Sequence, residues 1–156
     1  MLQKTVEATI LQHLLEFADQ LKRNGEFLLQ EFGLTPQQWL ILLHLVKDPN
    51  LPFTSAQQPE APVLASQLAG FFNVSRANIT NHLNALIAKE LIVQTEDAGD
   101  RRRKILDLTE AGRNLVKLVE PQRHLENEKL FSSFSSEEKT EFLSYIQRCL
   151  VCVAGQ

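Results

Sequence analysis

Over the first 32 residues, apolar side chains recur at Val6, Ile10, Leu14, Phe17, Leu21 and Leu28, mostly in steps of three and four. That spacing predicts a long amphipathic helix from about Leu2 to Phe32, ended by Gly33. Thr35 then offers an N-cap, Pro36 suits the first helical position, and Gln38 completes a capping box. The following helix, about Pro36 to Lys47, is apolar nearly all round, with Trp39, Leu40, Ile41, Leu42, Leu43, Leu45 and Val46. Such a helix should be central and buried. Residues 48–62, DPNLPFTSAQQPEAP, hold four of the six prolines and follow no helical or strand period. They are expected to form a loop, long for a compact domain.

The period resumes in VLASQLAGFFNVSRANITNHLNALIAKELI. A short helix from about Ala65 to Phe72, a tight turn through Asn73 and Val74, and a helix from about Arg76 to Lys89 are expected. Ser75 caps the second of these helices. Leu68 and Ala69 should face inward, as should Ile79, Leu83, Leu86 and Ile87. LIVQTE (Leu91–Glu96) is β-rich, Asp97–Asp100 is a turn signal, and KILDL (Lys104–Leu108) can return as a strand. The returning strand would set Lys104, Leu106 and Leu108 on one face. Thr109 caps a helix past Leu115, Leu118 and Val119, which Pro121 should kink or break. Ser135 and Glu138 form a second capping box before a helix carrying Phe142, Leu143, Ile146, Leu150 and Val153. The predicted fold class is mainly α with a small β-hairpin wing: two helices on a tight turn followed by a hairpin make a winged helix-turn-helix.

Charge sharpens this picture. The 156-residue chain has a net charge of −3, which argues against a protein that coats nucleic acid through general basicity. The charge is segregated, however. From Asn73 to Lys104 there are six basic and four acidic side chains, so this segment carries +2 and the remainder −5. A recognition helix reads the major groove with its N-terminal residues. Ser75, Arg76, Asn78, Thr80, Asn81, Asn84 and His82 are placed to project outward, and no acidic residue occurs from Ser75 to Lys89. Arg pairs bidentately with guanine and Asn with adenine, while Ser and Thr suit phosphates or base edges. At the hairpin tip, Arg101, Arg102 and Arg103 could enter the minor groove, where negative potential is strong over narrow tracts. The plain alternative for both features is a solvated polar surface.

At these residues the sequence resembles the MarR family of bacterial transcriptional regulators. LTPQQWLILLHL looks like the family's second helix, and SQLAGFFNVSRANITNHLNALIAKELI follows its helix, turn and recognition helix. DRRRKILDLTEAG matches its wing signature through Asp100, Arg102, Leu108, Thr109 and Gly112. The resemblance implies an obligate homodimer built by intertwined N- and C-terminal helices. It also implies binding to a pseudo-palindromic DNA operator, and commonly repression relieved by a small aromatic or anionic effector. On this expectation 1–33 is a dimerisation helix, 34–112 the winged DNA-binding domain and 113–156 the C-terminal dimerisation helices. The chain departs from the family pattern in its longer loop 48–62. Asn73 and Glu90 stand where Gly is common, and Asn81 and Ala85 where basic residues are common. A left-handed Glu90 would cost on the order of 1 kcal/mol.

Other chemistry is sparse. Cys149 and Cys152, three apart on the last helix, cannot build a disulfide framework and are expected as buried apolar side chains; a redox switch is the alternative. His13, His44, His82 and His124 show no metal-ligand spacing, so no metal or other cofactor is expected, although a metal-sensing regulator remains an alternative. No phosphate-binding glycine loop, nucleophile elbow or HExxH occurs, and the protein is not expected to be an enzyme. No apolar run approaches the ~18 residues of a membrane span, and a cytoplasmic protein is expected. The competing functional class is a winged-helix protein-interaction module that does not bind DNA.

Overall fold

The computed structural model describes residues 3–51, 61–72 and 74–154. Their elements are α1 (Val6–Gln30), α2 (Pro36–Leu45), β1 (Val63–Leu64), α3 (Ala65–Phe71), α4 (Arg76–Ala88), β2 (Ile92–Glu96), β3 (Lys104–Leu108), α5 (Glu110–Leu130) and α6 (Ser136–Ala154). The chain divides into a compact unit over 1–116 and another over 117–156. The expected turn residue Asn73 and residues 52–60 of the expected long loop lie outside the described residues.

Local chemistry accounts for the helix ends. Thr5 caps α1 by accepting from the Ala8 N–H at 3.2 Å. At α2 the capping box is complete: Thr35 Oγ1 accepts from the Gln38 N–H at 3.2 Å, and the Thr35 N–H donates to Gln38 Oε1 at 3.1 Å. Three helices end in the same pair of Schellman bonds, but only one has glycine at the left-handed position. After α1, Gly33 has φ +64° and the Leu34 N–H reaches Leu29 O. After α2 the residue is Lys47 (φ 58°), with the Asp48 N–H on Leu43 O. After α4 it is Glu90 (φ 57°), with the Leu91 N–H on Leu86 O, so the expected left-handed glutamate is present.

The first unit packs around α2. Ile41, Leu42 and Leu43 are fully buried together with Leu68 of α3, Leu86 of α4 and Ile92 of β2. Ile79 and Leu83 complete the inner line of α4. Ile87 was expected on that line but is 37% exposed. Steps of four and three carry the line from 79 through 83 to 86, and residue 87 stands about 100° round the helix from it. The sheet is antiparallel in the order β1-β3-β2, with Val63 opposite Leu106 and Ile92 opposite Leu108. β1 escaped the sequence reading because two residues are too few to show a period.

The second unit contains the end of α5 and all of α6. Pro121 does not break α5, which runs on to Leu130. Proline removes one backbone donor, but the polar turns around it remain helical, and Glu120 pairs with Arg123 at 3.5 Å and with His124 at 3.3 Å. The chain turns instead at 131–135, where Phe131, Phe134 and Phe142 cluster with ring centroids 6.0–6.4 Å apart. The Ser135–Glu138 capping box forms as expected, at 2.8 and 3.2 Å.

Candidate nucleic-acid interface

Two surfaces of the first unit hold the predicted site residues. On α4, Ser75 Oγ accepts from the Asn78 N–H at 3.2 Å, and Thr80 Oγ1 donates to Arg76 O at 2.8 Å. Both hydroxyls therefore serve their own helix while keeping lone pairs for an outside donor. Arg76, Asn78 and Asn81 are exposed, and their side chains make no hydrogen bond or ion pair among the described residues. Asn84 shares this exposure, whereas His82 is half-buried. The outer face of α4 thus offers uncommitted donors and acceptors next to one unpaired cation, with no carboxylate on the helix.

The second surface is the β2–β3 hairpin. Glu96 and Lys104 close its stem in a cross-strand ion pair of 2.8 Å. Beyond them the turn is organised by two aspartates. Asp97 Oδ1 accepts from the Gly99 N–H at 2.8 Å and the Asp100 N–H at 3.1 Å. Asp100 Oδ1 accepts from the Arg102 N–H at 3.0 Å and from Arg102 Nε at 3.2 Å. Arg103 Nη1 lies 4.0 Å from Asp97 Oδ2. The Gly99 bond above all and then the Asp100 bond hold the Asp97 carboxyl below the usual carboxylate range; desolvation opposes them, and the Arg103 charge adds the least. The order this carboxylate gives the turn is therefore present above the ordinary aspartate range and fades as pH falls through its own lower value. Arg101, Arg102 and Arg103 are all exposed, and Arg101 has no ion-pair partner among the described residues. The sequence showed the turn and its arginines, but the organising role of Asp97 and Asp100 was missed. Its signal was the Asp-Ala-Gly-Asp string, in which aspartate bonds to backbone two residues on.

Behind the wing, the remaining signature residues form a lock. Thr109 Oγ1 donates to Glu90 O at 2.7 Å and accepts from the Gly112 N–H at 3.0 Å. The Thr109 N–H donates to Leu91 O at 3.1 Å. A Cβ on Gly112 would lie 2.1 Å from Leu91 O, so only glycine permits this approach. The lock fastens the start of α5 to the strap between α4 and β2.

On the inner side, buried His44 stacks on Phe71 at 5.1 Å and meets the edge of Phe72 at 5.0 Å. Its Nδ1 has no hydrogen-bond partner, and burial pushes its pKa down. Sequence reasoning weighed this histidine only as a candidate for metal sensing and did not find its ring contacts, because neither phenylalanine is its sequence neighbour. Cys149 and Cys152, expected as buried apolar side chains, are both exposed on the single chain. Leu143, Leu150 and Val153, on the same helix, are exposed as well. Among the described residues, no group of three or more His, Cys, Asp or Glu side chains is placed to hold a metal ion. No described helix is long and apolar enough to cross a membrane.

A buried tri-helical core, a helix-turn-helix and a hairpin wing locked behind it define the class of winged helix-turn-helix proteins. Residues 32–103, a little under half of the chain, match the model of the MarR family. It is similar to the HTH-type transcriptional regulator YxaD of Bacillus subtilis, with 30% identity over 87 residues, 56% of this chain and 61% of that one. It is also similar to the transcriptional activatory protein BadR of Rhodopseudomonas palustris, with 25% identity over 138 residues, 88% and 74% of the respective chains. The chain thus spans less than two thirds of the length of YxaD. Among solved structures, a MarR protein from Peptoclostridium difficile superposes with a TM-score of 0.79 at 20% identity, covering 98% of this chain and 92% of that one. The S. aureus MepR–DNA complex does so with a TM-score of 0.76 at 23% identity, covering 96% and 99%.

Proposed function

We propose that this protein is a DNA-binding transcriptional regulator of the MarR family that grips a pseudo-palindromic operator as a homodimer. The observation that carries the proposal is the pairing of two surfaces on one unit. One is an exposed, acid-free face on α4, and the other is a wing tip with exposed Arg101, Arg102 and Arg103. Arg76, Asn78 and Asn81 read base edges in the major groove, Ser75 and Thr80 accept from base donors or bind backbone, and the wing arginines lie along the minor groove. The MepR relative bound to DNA and the two regulator relatives support this reading.

The dimer is formed by the helices at either end, 1–33 and 113–156, with the winged domain 34–112 between them. Apolar side chains left exposed on the single chain support it: Val6, Ile10, Leu11 and Leu15 on α1, and Leu143, Leu150, Val151 and Val153 on α6. The protein acts by binding rather than catalysis, in the cytoplasm. Its commonest mode in the family is repression relieved by a small aromatic or anionic effector. Because BadR is a transcriptional activatory protein, the sign of regulation is itself a matter for measurement.

Selection of sites from a random DNA pool tests the proposal. The expected product is a pseudo-palindrome with half-sites about one helical turn apart, bound with steep salt dependence. No enrichment over repeated rounds would favour the protein-interaction module instead. That second reading draws on the net charge of −3 and on the carboxylates of Asp97 and Asp100, which offset two of the wing arginines.

A further inference from the structure

A cation stands at each end of α4, Arg76 at its start and Lys89 at its C-cap, and the two are used differently. Arg76 at its N-terminus has no partner among the described residues. Lys89, the C-cap residue, folds back from the helix. Its ammonium donates to Gly33 O and lies 3.4 Å from Gln38 Oε1. Gly33 is the left-handed residue that ends α1. Gln38 is the capping-box residue that begins α2, is buried, and holds the Thr35 N–H through the same Oε1. A single ammonium therefore joins three helix ends: the C-terminus of α1, the N-terminus of α2 and the C-terminus of α4. A cation is well placed at the carbonyl ends of two helices, where the backbone dipoles are negative.

We infer that Lys89 is a positioning residue, which fixes the tilt of the recognition helix against the α1–α2 corner and so ties operator affinity to the N-terminal arm. This rests on the operator-binding reading above. An ammonium has three donors, and two are directed at protein oxygens, so Lys89 is not placed as a free phosphate ligand. The leverage is geometric. A helix of the length of α4 spans about 20 Å, so a tilt of about 5° at Lys89 moves Arg76 and Asn78 by roughly 1.7 Å. Site geometry is ordinarily held to about 0.5 Å. The linkage also runs the other way. Anything that shifts the Gly33 corner, including rearrangement of the arm, moves the reading end of α4.

The test compares the full-length wild type with Lys89→Met and Lys89→Arg on the selected operator, over a series of salt concentrations. Lys89→Met should lower affinity by about tenfold at every salt concentration, with the slope of log K against log salt unchanged; Lys89→Arg should restore affinity. Arg102→Ala, as a reference for the loss of one cation held against the DNA in the minor groove, should reduce the slope by about one. Hydrogen exchange without DNA provides an independent readout. Lys89→Met should speed exchange both in the last turn of α4 and at residues 29–35, with little change in the wing. A slope reduced by about one in Lys89→Met would make Lys89 a phosphate ligand and overturn the inference. Unchanged affinity or unchanged exchange would overturn it as well. Wild-type protein that selects no DNA would overturn the operator reading itself, a failure visible before any variant is made.

Discussion

At the scale of single residues, the strongest constraints lie away from the surface proposed to bind DNA. Gly112 is fixed by a backbone carbonyl: a methyl group there would stand 2.1 Å from Leu91 O. Gly112→Ala must therefore push α5 off the strap after α4, and is expected to cost more than about 2 kcal/mol in chemical denaturation. Glu90, left-handed at φ 57°, should respond in the opposite sense. Glu90→Gly removes the Cβ conflict and should raise stability by up to about 1 kcal/mol, provided that the larger freedom of the unfolded chain does not offset it. His44 gives a prediction with a pH window. Burial holds its folded-state pKa below the ordinary value, so the unfolded chain takes up a proton first as pH falls below about 6.5. The stability tied to its neutrality is present above that point and drains away as pH falls toward the lower folded value. The denaturation midpoint of wild type should fall between pH 7.5 and 5.5, and His44→Leu should flatten that fall. Parallel curves for the two proteins would remove His44 from the account.

At the scale of elements, what could be read from the sequence followed how local the cause was. The capping boxes at Thr35 and Ser135 and the strand Lys104–Leu108 formed where expected, because their signals lie within a few residues. β1 was missed because its identity as a strand comes entirely from pairing with Leu106 and Ile105, some forty residues on. Pro121 was misjudged because the cost of one missing donor is local, whereas the stability of a helix is summed over its length. At the site, the residue types on α4 and the wing were legible. The couplings between distant residues were not, since Lys89 to Gly33 and His44 to Phe71 depend on the folded chain, whereas the bonds from Asp97 to the Gly99 and Asp100 backbone are local and had a signal in the Asp-Ala-Gly-Asp string that went unused. The wing carries the prediction at this scale. Arg102→Ala should weaken operator binding by more than about tenfold while thermal unfolding stays within a degree or two, because the Arg102 side chain is 93% exposed and its pairing with Asp100 adds little stability in water. Binding that survives the change would mean the wing does not reach the groove.

At the scale of the whole molecule, the question is why so much apolar surface is left uncovered. α1 exposes Val6 at 71% and Leu15 at 62%, and α6 exposes Val151 at 73% and Val153 at 74%. Isolated exposed leucines are ordinary, but rows of them at helical spacing on both end helices are not. A helix with such a face gains little from forming alone, since most helical stability in proteins comes from packing that face. On the proposed reading, association of two chains through these helices would cover these rows and would also set the distance between two recognition helices, which a palindromic operator would then report. Wild-type protein should therefore sediment at twice the chain mass at micromolar concentration. Leu15→Glu replaces an exposed leucine with a good helix former, so the single chain should still fold while the dimer is weakened. Its operator affinity should fall far more than its helix content, because one half-site contact in place of two forfeits the avidity of a paired grip. A wild type that sediments as a single chain, with α1 still fully helical by circular dichroism, would show that the exposed rows have another partner and that the two recognition helices are not held in register by this interface.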